Sequence, residues 1–244
     1  MGEKMNRIKT PNLPEKEVVV CVSAVDIQGV TCIKPKPIPT LPLSMQMHAD
    51  LQLCHLGENV LLAAPETYAY YNEMLSPFGY KVLCGKTPLG STYPMDAAYN
   101  IARVGNAAFH NPKITDPVAL SYFKENGISL IPVKQGYAKC ALLPLDTHTI
   151  VTSDDGIKKE AEKNGFSVLH ISPGGVLLSG FPYGFLGGAG GKLSPDTMYI
   201  TGSLSAHTDR EKILAFFEKK SIKIREGSIP NPVDIGSIVP LLTA

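Results

Sequence analysis

Amphipathic stretches and short apolar runs alternate along this chain, and the breaks between them recur. Helix signals stand out first. Pro65-Glu66-Thr67 opens an apolar-periodic stretch that Gly79 ends, and Asp116-Pro117 opens another that Gly127 closes. Ser153-Asp154-Asp155 starts a third, stopped at Asn164-Gly165, and His207-Thr208-Asp209 starts a fourth that runs through Phe217. Oxygen-bearing side chains at these starts satisfy free backbone N–H groups, and glycine at the ends accepts the left-handed conformation. After each helix comes a β-like run: Tyr80 to Cys84, Ile128 to Val133, Phe166 to Ile171, and Ile222 to Arg225. Before each comes another: Val60 to Ala63, Ala107 to Phe109, Thr149 to Val151, and Met198 to Ile200. A further segment precedes these across a turn: His48 to Cys54, Asp96 to Ala102, Lys139 to Leu145, and Gly187 to Leu193. The pattern predicts a repeated strand, strand, helix, strand unit.

The units begin near His48, Asp96, Cys140, Gly188 and Asp234, at intervals of 48, 44, 48 and 46 residues. Asp234 to Val239 is a first strand with no second strand after it. The missing pieces lie at the other terminus, where Val18 to Ala24 and Thr31 to Lys34 read as two strands joined by a very short connector. Both ends of the chain therefore complete one fifth unit, as a closed propeller requires in order to abolish free sheet edges. The predicted fold class is α/β: a five-bladed propeller occupying residues 1–244 as one domain, with a polar segment at 1–16 and a Pro-rich linker at 35–43.

Composition narrows the function. Twenty-three Lys and Arg against 22 Asp and Glu leave a formal net charge of +1, which offers no general footprint for nucleic acid or an anionic membrane. No apolar run approaches the roughly 18 residues of a membrane span. The five scattered cysteines form no CxxC pair and no disulfide framework, so the expectation is a reduced, cytoplasmic protein without metal or cofactor.

In a five-bladed ring the first strands line the central channel, which makes a site of His48, Asp50, Asp96, Asn100, Lys139, Cys140 and Asp234. His48 and Asp50 sit two apart, hence on one face of a strand, where a histidine and a carboxylate suit proton transfer beside a bound cation. Of Lys139 and Cys140, adjacent on a strand, only one faces the channel. Other motifs carry less. Gly187 to Lys192 has the wrong spacing for a phosphate loop and lacks the Ser or Thr that follows. His48, Asp50, Cys54 and His55 are metal-type donors, but spread along one strand they cannot surround an ion. Ser205, His207 and Asp209 read as helix-start residues and not as a triad.

The segment Met47 to Glu66, with its His48-Ala49-Asp50, resembles the histidine segment of the guanidine-modifying (pentein) superfamily: the arginine and agmatine deiminases, dimethylargininases and amidinotransferases. Across nearly the whole chain, Gln135 to Cys140, Asp154 to Ile157, Gly184 to Ala189 and Asp234 to Ile238 are also similar to a bacterial family known only as a domain of unknown function. The superfamily resemblance implies the five-bladed propeller, a catalytic histidine at His48 and a carboxylate at Asp50 that grips a guanidinium. It also makes Cys140, 92 residues after His48, the expected nucleophile, with a neighbouring cationic His48 pulling its pKa below the usual ~8.5. Asp50, Asp96, Asn100, Lys139 and Asp234 are then expected substrate-binding residues. Two departures stand out: Ala189 replaces the acid of a Gly-Gly-acid segment, and two first-strand segments follow the cysteine. The implied function is cysteine-dependent hydrolysis or transfer on a guanidino or amidino small molecule. The alternative is a non-catalytic propeller that binds a protein or a small ligand.

Overall fold

A computed structural model describes residues 5–244; of the polar N-terminal segment, residues 1–4 lie outside the described residues. The chain opens with β1 (Asn6–Arg7), β2 (Val18–Val22) and β3 (Thr31–Ile33). The first complete unit follows, with α1 (Ala49–Gln52), β4 (Leu53–Gly57), β5 (Val60–Ala63), α2 (Pro65–Leu75) and β6 (Lys81–Cys84). The second has β7 (Ala102–Val104), β8 (Ala107–His110), α3 (Pro117–Glu125) and β9 (Ser129–Pro132). The third has α4 (Ala138–Ala141), β10 (Leu142–Asp146), β11 (Thr149–Thr152), α5 (Asp155–Lys163) and β12 (Ser167–His170). The fourth has β13 (Gly190–Ser194), β14 (Thr197–Gly202), α6 (Arg210–Lys219) and β15 (Lys223–Ile229), and β16 (Val239–Thr243) ends the chain.

Within each complete unit the first strand runs antiparallel to the second and the second parallel to the third. The long helix makes the crossover that a parallel pair demands. Two of the four expected helix starts form side-chain caps: the Asp116 carboxylate accepts from the Val118 amide at 2.8 Å, and Asp154 accepts from Ile157 at 2.8 Å; the residues before α2 and α6, Ala64 and Asp209, make no such bond. Gly79 ends the α2 stretch at φ +80°. In the remaining sheet β16 lies between β1 and β2, with Val239 opposite Val22, and β2 runs parallel to β3 without a crossover helix. Both termini thus share one sheet.

One correction applies to every unit. The first strands begin later than the sequence pattern predicts, and the segments expected to open them are helical turns or loops. His48 caps α1 and Asp50 lies within it, Lys139 and Cys140 lie in α4, Asp96 and Asn100 sit in the turn before β7, and Asp234 precedes β16 by five residues. The period-two face for His48 and Asp50 therefore does not exist. Lys139 and Cys140 are neighbours in a helical turn, about 100° apart, and not on the two faces of a strand, yet their side chains still diverge.

The apolar core is divided into five clusters, and each lies between two units. Successive β5 side chains serve opposite neighbours: Leu61 and Ala63 pack with Val239 and Leu241, whereas Leu62 and Ala64 pack with Ala108 and Phe123. The same alternation divides Ile150 from Val151 on β11. Strands buried on both faces read as continuous apolar runs, which is why Val60 to Ala63 shows no alternation with polar residues. The Tyr80 hydroxyl donates to the Leu241 carbonyl at 2.6 Å and ties the first unit to the last strand.

Deleting Val239 to Ala244 should remove the strand between β1 and β2 and take Val239, Leu241 and Leu242 out of the cluster they share with the first unit, leaving unpaired edges. The expected outcome is aggregation on size-exclusion chromatography; a monodisperse truncation with an unchanged melting point would contradict the shared sheet.

Candidate functional site

The turns that precede the first strands converge on one point. Asn100 organises it. Its side-chain oxygen accepts from the backbone amides of Lys139 at 2.7 Å and Cys140 at 3.1 Å, capping α4, while its amide nitrogen donates to Cys140 Sγ at 3.2 Å. The Cys140 thiol in turn donates to Asp50 Oδ2 at 2.9 Å, and the same oxygen accepts from the Ser237 hydroxyl at 2.6 Å. Ser237 also donates to the Gly187 carbonyl at 2.9 Å, so residues from all four complete units and the terminal segment interlock.

Asp234 is fixed from behind: Oδ1 accepts from the Gly236 amide at 3.0 Å and Oδ2 from the Phe185 amide at 2.9 Å. Two glycines make room for this arrangement. A Cβ at Gly188 would collide with the Asp234 carboxylate, and one at Gly236, which has φ +74°, would collide with His48. His48 Nδ1 lies 3.9 Å from Asp234 Oδ1, and neither ring nitrogen of His48 has a hydrogen-bond partner among the described residues. Donor atoms of His48, Cys140 and Asp234 all lie within 4.8 Å of one another.

Above this trio opens a cavity of about 280 Å³, whose floor is His48, Cys140 and Asp234. Tyr137 and Gln135 stand at its side, and Phe181, Tyr183 and Phe185 from the segment before β13 form its apolar wall. Tyr137 donates to Asp96 Oδ2 at 2.7 Å, so Asp96 reaches the site only through that ring. Lys139 points the other way, into a void of about 10 Å³ shared with Asp50, Cys54, His55 and Arg103. The cationic side chain thus backs the carboxylate while the thiol faces the cavity; both are buried.

The electrostatics follow from burial. Loss of water pushes the Cys140 thiol well above its ordinary range, and the Asp50 and Asp234 carboxylates push it further. This reverses the expectation of a thiolate stabilised by His48: the thiol's near partner is the Asp50 carboxylate, which favours the protonated form. Burial also raises the carboxyl pKa of Asp234, opposed chiefly by His48, and that of Asp96, opposed chiefly by the Tyr137 hydrogen bond. Lys139 is pulled down by burial, with Asp50 acting against it.

Chemically, the floor presents a soft nucleophile, an imidazole with both nitrogens available and a carboxylate with lone pairs toward the cavity. Such a set suits a planar cation. A metal ion is also within the geometric reach of His48, Cys140 and Asp234. These donors come from separate elements, unlike the single-strand set weighed from sequence. Sequence reading missed Tyr137, Ser237 and the aromatic wall. Tyr137 and Ser237 lie within three residues of Cys140 and Asp234, which was a usable signal, whereas the wall at 181–185 carries no repeat pattern.

Among solved structures, the chain is similar to a DDAH from Pseudomonas aeruginosa, a cysteine-to-serine mutant complexed with citrulline, at 12% identity and TM-score 0.54, covering 82% of this chain and 74% of that one. It is similar to the inosamine-phosphate amidinotransferase of Streptomyces griseus at 11% identity and TM-score 0.53, covering 87% and 75%. It is also similar to the C. jejuni agmatine deiminase at 10% identity and TM-score 0.52, covering 93% and 92%. At these identities the likeness is one of fold: a mixed α/β fold of the pentein type. No curated protein sequence matches the chain, and no helix among the described residues is long and apolar enough to cross a membrane. Residues 19–239 match the family of unknown function DUF6873, and the chain belongs to that family.

Proposed function

We propose that this protein is a cysteine-dependent hydrolase or transferase acting on a guanidino or amidino small molecule, built on a single closed five-bladed α/β propeller. The observation that carries the reading is the convergence of the Cys140 thiol, the His48 ring and the Asp234 carboxylate, from three separate units, on the floor of one cavity. Closure is supported by the five inter-unit clusters and by β16, which joins the two ends of the chain. The names of its structural neighbours, an amidinotransferase and an agmatine deiminase among them, agree with the chemistry. Five free cysteines fit a reduced cytoplasmic setting.

In the proposed reaction the guanidinium lies against Asp234, whose two oxygens match its planar fork. The bound positive charge offsets the carboxylates that hold the thiol protonated, and the thiol proton passes along the 2.9 Å hydrogen bond to Asp50. Sγ then attacks the amidine carbon and a C–S bond forms. The C–N bond to the leaving nitrogen breaks as that nitrogen takes a proton from His48. Water, or an acceptor amine in a transferase, adds to the same carbon with its proton going to His48. The C–S bond breaks, and Asp50 returns the proton to sulfur. Asn100 positions Sγ, while Lys139 steadies the buried charge of Asp50. Asp96 holds Tyr137 at the cavity side.

The protonated resting thiol also fits the alternative of a binding propeller without catalysis, and turnover separates the two. Guanidino compounds should raise the melting temperature of the wild type, and less so that of Asp234→Asn. His48→Ala should lower turnover about 10²–10⁴-fold, the usual size of a general acid–base contribution. Cys140→Ser should abolish turnover and retain binding, and the double variant should be no worse than Cys140→Ser. A panel of guanidino compounds that neither bind nor turn over would sink the reading, and stabilisation by zinc alone would favour a metal-binding site instead.

Asp50 also sets a pH dependence. Its negative charge disfavours the thiolate, so Asp50→Asn should lower the Cys140 pKa. The pH profile for alkylation of Cys140 should then shift to lower pH, read by mass spectrometry of the labelled peptide. In the wild type near neutral pH, the exposed Cys84, and Cys32 with its pKa lowered to about 7 by its hydrogen bond to Cys21, should label before Cys140. An unshifted profile in Asp50→Asn would contradict the assigned coupling.

A further inference from the structure

The walls of the cavity say more than its floor. Eleven residues line it, and none is Lys or Arg; apart from His48, Cys140 and Asp234, the lining is apolar or aromatic except for Gln135. Gln135 is already engaged at both ends, donating to Asp154 Oδ2 at 3.1 Å and accepting from the Tyr137 amide at 3.0 Å. The Tyr137 hydroxyl is committed to Asp96. Beyond the floor, a carboxylate on the ligand finds no cation, and an ammonium finds no acid. Either charge loses water against apolar surface without a partner, which is unfavourable unless it stays in solvent.

What the walls offer is aromatic surface. Tyr183 and Phe185 stand edge to face, with ring centroids 6.1 Å apart. Of the cavity's lining residues, Phe181 is 39% exposed and Tyr183 41%. Apolar side chains left in water around a concave site mark a surface that a ligand covers. The cavity, about 280 Å³, has room for a guanidine group carrying one six-membered ring; agmatine is no larger, so the chemistry of the walls and not the volume discriminates.

We propose that the ligand is a monocationic aryl- or short alkyl-substituted guanidine or amidine without a carboxylate, with its cation on Asp234 and its apolar body against Phe181, Tyr183 and Phe185. The proposal rests on reading the floor as a guanidinium site. It makes Phe181 and Tyr183 the residues that determine specificity, through burial of apolar area against aromatic faces.

The test is calorimetric titration of the Cys140→Ser variant, which blocks turnover, with guanidinium ion, phenylguanidine, agmatine, arginine and neutral phenylurea. Phenylguanidine should bind at least tenfold more tightly than arginine, with agmatine between them, and phenylurea should not bind. Phe181→Ala and Tyr183→Ala replace partly exposed side chains, so the fold should survive. Each should weaken phenylguanidine several-fold while leaving guanidinium ion unchanged; Tyr183→Leu should keep most of the affinity. If arginine or agmatine equals or exceeds phenylguanidine in an Asp234-dependent manner, this inference is overturned and the guanidinium floor stands. If even guanidinium ion shows no Asp234-dependent binding, the floor and the inference fall together.

Discussion

No unit of this protein owns a hydrophobic core. Each apolar cluster is made by two units, because the strands are buried on both faces and successive side chains along β5 or β11 serve different neighbours. A unit folded alone would leave one face of its sheet in water, so stability is a property of the whole succession of contacts. The same constraint explains the termini. The last cluster needs Val239, Leu241 and Leu242 beside Val20 and Val22, and the only way to assemble it is to bring both ends of the chain into one sheet.

The segments just before the first strands turn the chain into the sheet with short helical turns and loops, sending apolar side chains such as Leu51 and Ala138 into the clusters while their polar side chains meet from several units. Polar groups placed there are buried by the surrounding units whether or not they contribute to stability. The result is a cluster of costly groups: Asp234 and Asp96 with carboxyl pKa values raised by burial, Lys139 pulled down, and a thiol pushed up. Buried charges so close together are tolerated only when hydrogen bonds hold them, and here Asn100, Ser237 and the amides of Phe185 and Gly236 do so. Asp50 and Asp96 each keep one buried oxygen without a hydrogen-bond partner among the described residues, and His48 keeps both ring nitrogens so; His48 lines the cavity, where a ligand would complete its hydrogen bonding.

The thiol's environment fits a reaction that begins only when a cation arrives. Burial, reinforced by Asp50 and Asp234, raises the Cys140 thiol pKa and so disfavours adventitious alkylation or oxidation, since the thiolate is the reactive form. On the proposed reading, a bound guanidinium alters that balance at the moment it supplies the electrophilic carbon, and the carboxylates serve twice, as the grip on the ligand and as the restraint on the nucleophile.

Much of this was legible in the sequence by itself. The order of strands and helices, the caps at Asp116 and Asp154, the interval of the units and the pairing of the two ends all follow from local chemistry and from a repeat, and local chemistry is what a sequence displays directly. The residues meeting at the floor, His48, Cys140 and Asp234, and those behind it, Asp50 and Asn100, were also visible, because each stands at or near the start of a unit. What the tertiary structure alone decided is how they meet. It turned the expected strand starts into helical turns, set Lys139 behind Asp50 and Cys140 before the cavity, and made Asp50 rather than His48 the thiol's partner. It also brought up the aromatic wall at 181–185, which belongs to no repeat. The reason is physical: periodicity encodes which face of an element is apolar, whereas the direction of a side chain in a turn, and the field it enters, depend on neighbours tens of residues away.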